Sequence, residues 1–219
     1  MTTTPLPVIE EPQVASWRLI ATLGGAGALA GLLIVLAYVW TQPRIAAHRA
    51  TVLQAAIEEV LKQPDHADTL YLHGDALVAT LPAGVDGATL ERIYRGYDAA
   101  GKAIGYAISA SEPGFADNIT VLFGYDAAAD QVLAMKVLGS KETPGLGDKI
   151  ERPAFTDQFM GRKAPLKGVK GAAPAGDPSA IAMITGATIS SRTIIDEMNT
   201  AIARWEPLID RYQREGGKS

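Results

Sequence analysis

A chain of 219 residues can hold one sizeable domain plus an appendage, and 47% hydrophobic with 20% charged residues is the composition of a folded protein. A net charge of −4, with Lys and Arg scattered along the chain, gives no basic patch for phosphate backbones and excludes nucleic acid as a partner. The chain contains no cysteine, which rules out thiolate iron–sulfur clusters, thioether-linked haem, cysteine–zinc sites and thiol catalysis, and His48, His66 and His73 have no metal-ligand spacing, so any redox cofactor is expected to be organic.

An N-terminal tail, 1–16, comes first. Residues 17–43 are predicted to form one transmembrane helix. No residue from Leu19 to Pro43 is charged, and Leu19–Val39 is almost wholly apolar, long enough for a hydrocarbon core of about 30 Å. Trp17 stands before the run and Tyr38 and Trp40 at its end, as interfacial anchors would. Gly24, Gly25, Gly27, Ala28 and Gly31 suit close approach of another membrane helix. A cleaved signal peptide would have a basic leader and a shorter apolar run, whereas Glu10 and Glu11 precede this one. Arg18 lies before the span and Arg44 and Arg49 after it, so flanking charge alone favours a cytoplasmic domain by a single residue.

Residues 44–90 read as a connecting helix and an irregular region. The helix, 45–63, has Ile45, Val52, Ile57 and Leu61 as its apolar side and ends at Pro64-Asp65. A folded domain is expected over 91–206. Four runs rich in Ile, Val, Tyr and Phe, IYRGYD, AIGYAISAS, NITVLFGYD and QVLAMKVLG, are separated by short turns and predict an antiparallel meander. A loop at 140–148, a helix near 149–161, a Gly/Ala/Pro/Lys-rich stretch at 162–178 and a short strand at 180–184 follow. The last helix carries Ile194, Ile195, Met198, Ile202 and Trp205 at steps of three and four. Residues 207–219 read as a C-terminal tail. The fold class is α+β, with an N-terminal membrane helix, an antiparallel sheet and flanking helices.

The segment Thr185-Gly186-Ala187-Thr188-Ile189-Ser190-Ser191 turns from a strand through small residues into a helix N-terminus. Free amides at such a terminus bind phosphate, and hydroxyls can donate hydrogen bonds or become ester oxygens. The same residue types also make an ordinary helix cap, so residue chemistry leaves both readings open.

TGATISS resembles the S/T-G-A-T-x-S/T signature of flavoproteins whose FMN phosphate is esterified to the second threonine, here Thr188. Lys141–Ile150 resembles the E-T-P-G-L-G loop of the same proteins, and Pro113–Ile119 their glycine-containing turn between strands. The three occur in family order behind one membrane helix, across most of 17–205. The chain is thereby similar to the G subunits of Rnf (Rsx) electron transport complexes, and more distantly to the C subunits of sodium-pumping NADH:quinone reductases, which are usually longer. Many members carry an acidic residue six positions before the acceptor; here it is Ala182.

The resemblance implies covalent FMN on Thr188, with Thr185, Gly186, Ala187 and Ser190 around the phosphate. It places Glu142, Thr143, Gly145 and Leu146 along the isoalloxazine. It further implies an electron carrier within an ion-translocating complex coupling ferredoxin and NAD, with five companion membrane subunits, A to E, and a flavin transferase during maturation. It puts the chain in a bacterial inner membrane as a single-pass protein with a periplasmic domain, against the one-charge bias above. A C subunit of a sodium-pumping NADH:quinone reductase is one alternative, and two others share these residues. One is a membrane-anchored assembly protein with the motif unmodified. The other is a reductase holding FMN noncovalently, for which no nicotinamide fingerprint is found.

Overall fold

The computed structural model describes residues 15–216, which divide into two units, one ending at Ala50 and one beginning at Thr51. A single helix, α1 (Ser16–Val60), supplies nearly all of the first unit and enters the second.

In the first unit α1 exposes its apolar side chains all round. Its 18-residue window of mean hydropathy 2.3 makes it long and apolar enough to cross a membrane. The hydroxyls of Thr22 and Thr41 donate to the carbonyls of Arg18 and Ala37, each at 2.9 Å, so neither polar group needs water. Cation–π pairs bracket the run, Arg18 over Trp17 and Arg44 over Trp40. Charge at each end is thus held beside an amphipathic ring.

The second unit is built on one antiparallel sheet in the order β2-β1-β3-β4-β5-β6. Its strands are β1 (His66–His73), β2 (Ala76–Val78), β3 (Arg92–Tyr97), β4 (Ala103–Pro113), β5 (Asn118–Asp126) and β6 (Gln131–Gly139). Alternation along β4 and β5 sends Ile108, Val121, Phe123 and Tyr125 to one face, where they meet the last helix, α3 (Thr188–Arg214). That helix turns Ile194, Ile195, Met198, Ile202 and Trp205 onto the sheet, the face predicted from their spacing. Ala107 and Leu122 point to the other face. There they pack with Ala56, Ile57, Val60 and Leu61 at the end of α1. Gly124 lies directly under the Val60 carbonyl, where any side chain would collide with main chain. An ion pair between Lys136 and Glu59 closes this edge.

Several elements differ from the sequence expectation. Ile45 and Val52 stay exposed, because only Leu53 onward packs against the sheet. Residues 64–90, expected to be irregular, contain the β1–β2 hairpin. In place of one helix near 149–161 there is a 3-10 turn, the short helix α2 (Pro153–Thr156) and a second 3-10 turn, because Pro153 can begin a helix but not continue one. Residues 167–170 form a strand, β7 (Lys167–Lys170), parallel to β8 (Ala180–Met183). Finally, α3 runs through Pro207 to Arg214, beyond the boundary placed at 206. Ile209 and Tyr212 are buried there, and Ala203, whose carbonyl loses its partner to proline, is exposed so that solvent can serve it.

Candidate flavin site

Three segments far apart in sequence converge at one end of the sheet: the β4–β5 turn, the loop after β6 and the start of α3. Glu142 joins them. Its side chain is only 7% exposed. Oε1 accepts from the amides of Phe115 (2.8 Å) and Ala116 (3.1 Å), and Oε2 accepts from the Ser190 hydroxyl (2.8 Å). A Cβ at Gly114 or at Gly147 would overlap the Glu142 side chain, so both glycines are there to let it in. The turn is closed by Gly114 N–H to Asp117 O at 2.9 Å and tied to α3 by the Thr193 hydroxyl on Pro113 O at 3.1 Å.

The loop after β6 is wound about one carbonyl, Thr143 O, which accepts from Leu146 N at 3.1 Å and Gly147 N at 2.9 Å. Gly145 at φ +79° makes the bend. Beside the loop, Lys141 pairs with Asp117 at 2.8 Å on the exposed side, which holds that carboxyl below its usual range and raises the Lys141 ammonium.

At the start of α3, Gly186 (φ +86°) reverses the chain and Ala187 occupies the N-cap, where it offers no side-chain acceptor. Ser191, fully buried, supplies what the cap lacks: its hydroxyl donates to Ala187 O at 2.8 Å and accepts from Ile184 N at 3.1 Å. The first helical bond within this turn is Ser191 N–H to Ala187 O. The amides of Thr188, Ile189 and Ser190 are therefore without a main-chain acceptor among the described residues. Among the same residues, nothing hydrogen-bonds the Thr188 hydroxyl.

These segments enclose a cavity of about 320 Å³, within the range of small-molecule sites. Of the residues singled out in the sequence, Thr188, Gly186, Ala187, Ser190, Glu142, Thr143 and Leu146 line it; Thr185 and Gly145 do not. Phe115 and Ile189, which sequence reasoning missed, line it too, and both are exposed beside the half-exposed Leu146. Three apolar side chains in water at the mouth of a pocket, with amides on its lining that have no main-chain acceptor among the described residues, suit a flat ring ending in an anionic group. No group of three or more potential metal ligands lies together among the described residues.

Comparison with known proteins agrees with this chemistry. A family described as the FMN-binding domain matches residues 114–203. The chain is 29% identical to the G subunit of the ion-translocating oxidoreductase complex of Methanosarcina acetivorans, over 84% of this chain and 92% of that protein. It is 31% identical to the protein of the same name from Pseudoalteromonas atlantica, over 78% of this chain and 79% of that one. The crystal structure of Shewanella oneidensis NqrC superposes with a TM-score of 0.66 over 75% of this chain and 99% of that one, at 15% identity, so the two share a fold. The chain belongs to the family of G subunits of ion-translocating oxidoreductase complexes, and its domain is an FMN-binding domain.

Proposed function

We propose that this chain is a membrane-anchored electron carrier whose FMN is esterified through its phosphate to Thr188. The observation that carries this reading is the state of Thr188: a hydroxyl without a partner among the described residues, on the first residue of α3, at the wall of the cavity and beside three amides that likewise have no main-chain acceptor among them. A phosphodiester there keeps one negative charge, which a helix N-terminus stabilises by about 0.3–1 kcal/mol. Thr185, Gly186, Ala187 and Ser190 shape the phosphate end, while Leu146 gives the ring an apolar face and Thr143 and Gly145 set the loop beneath it. Bound FMN supplies reversible electron uptake, so no side chain needs to make or break a substrate bond. The chain's own task is to orient the ring, shield it and set the polarity around it.

Family membership supports a place among other membrane subunits, A to E, in a complex coupling ferredoxin and NAD to ion movement. We further infer a periplasmic domain, against the one-charge bias of the flanks. The domain itself would begin near Thr51 and end with α3. A second reading, an assembly protein with the motif unmodified, is favoured by one residue. Ala182 stands where many relatives have an acid, and its main chain is taken by Gln158, which accepts from Ala182 N at 2.9 Å. Expression beside a flavin transferase separates the readings: the denatured wild-type band should fluoresce as flavin and Thr188→Val should not. A dark wild-type band supports the assembly role.

A further inference from the structure

A carboxylate shut inside a cavity with no cation beside it imposes its charge on whatever the cavity holds. Glu142 is such a group. Both oxygens act as acceptors, and all three donors, two amides and the Ser190 hydroxyl, are neutral. The neighbouring cation, Lys141, is directed to Asp117 on the exposed side. Hydrogen bonds from neutral donors hold a charge in place without cancelling it, and a carboxylate only 7% exposed is screened by water less than one on the surface.

We propose that Glu142 is a positioning residue rather than a ring ligand, and that its fixed negative charge lowers the reduction potential of the flavin in this cavity. The proposal rests on FMN occupying the cavity as argued above. Its two parts have separate causes. Position comes from shape and hydrogen bonding: Glu142 fills the space left by Gly114 and Gly147 and holds the β4–β5 turn against α3. Potential comes from charge: an electron added to the ring places a second negative charge in the same cavity, so the reduced form is disfavoured relative to a ring beside a neutral group.

Glu142→Gln separates the two. The amide oxygen still accepts from Phe115 and Ala116, and its NH2 faces a hydroxyl that can accept, so the turn should hold while the charge is gone. In flavin-loaded protein the reduced-to-oxidised ratio at fixed solution potential should rise by about tenfold, an upward shift of ~59 mV for one electron or ~30 mV for two. Ser190→Ala, which keeps the charge and loses one hydrogen bond, should not raise it. A potential unchanged or lowered in Glu142→Gln would overturn the charge part. The positioning part is read without flavin, in the Thr188→Val background: the Phe115 and Ala116 amides should exchange slowly with Glu142 or Gln and fast with Ala. Loss of the fold in the Gln protein would overturn the proposal, because Gln can form every hydrogen bond the geometry asks for, with the bond to Ser190 reversed. Intact mass of the wild type reports separately on whether FMN is attached at all. A flavin-free wild type ends the reading of function and leaves the exchange arm standing.

Discussion

The Ser190 hydroxyl donates to Glu142 Oε2 at 2.8 Å across 48 residues of sequence, and it fastens the first turn of α3 to the loop that follows the sheet. Both groups are buried. Ser190→Ala leaves a buried carboxylate oxygen without its donor, and the loss of such a partner costs about 1–3 kcal/mol. Urea denaturation should therefore show a lower midpoint with an unchanged slope. A midpoint equal to wild type would mean that solvent reaches Oε2.

Gly147→Ala puts a methyl group into the Glu142 side chain. Glu142 is held at both oxygens and cannot simply swing away. The expected cost is about 1–3 kcal/mol from overpacking, together with reduced flavin loading. The same substitution at Gly139, which has open space around its Cα, should be nearly neutral and serves as the control.

Glu197 lies on α3, 2% exposed, and its carboxylate makes no full hydrogen bond, only a looser approach to the Glu112 main chain. Burial pushes its pKa up to about 8; the Glu112 main chain opposes this and the Glu112 carboxylate adds to it. An unfolded glutamate titrates near 4.3. Between those values the folded chain holds a proton that the unfolded chain has released, so this group's effect on stability worsens as pH rises from about 4.5 to 8. Glu197→Gln removes that dependence, and at pH 7.5 the variant should be more stable by roughly 1–3 kcal/mol. Denaturation at pH 5 and pH 8 checks it. An identical pH slope in both proteins would contradict the assignment.

The meander β3–β6 and the buried face of α3 were legible because alternation and 3.6-residue spacing are local signals. The β1–β2 hairpin was not. In HADTLYLH only Leu70 is fully buried, so the strand is made by its pairing with β3 and not by its own pattern. The end of α3 was hidden by Pro207, whose local preference is overridden by the burial of Ile209 and Tyr212. At the site, Thr188 and the loop 142–147 stood out by resemblance, and seven of the nine residues named line one cavity. What escaped depends on distance in sequence. Nothing near Phe115 says that it will face Ile189, and nothing near Glu142 says that its partner is Ser190. A signal for Ser191 existed in the missing cap at Ala187, which a nearby hydroxyl had to replace.

Ala182→Asp places an acid at the position where the resemblance implies one. The side chain at this position is half-buried, and the Gln158 contacts are made by main chain, so the strand should tolerate it. With limiting flavin transferase, the fraction of protein carrying flavin should rise. An unchanged fraction would show that maturation does not read this position.

The attachment itself is tested most directly by tandem mass spectrometry of the peptide containing Thr188, from protein made beside a flavin transferase and denatured before digestion. The peptide should be heavier by one FMN less one water, with the added mass on Thr188 and none in Thr188→Val. An unmodified Thr188 peptide, or the same adduct on Thr185 or Ser190, would contradict the assignment.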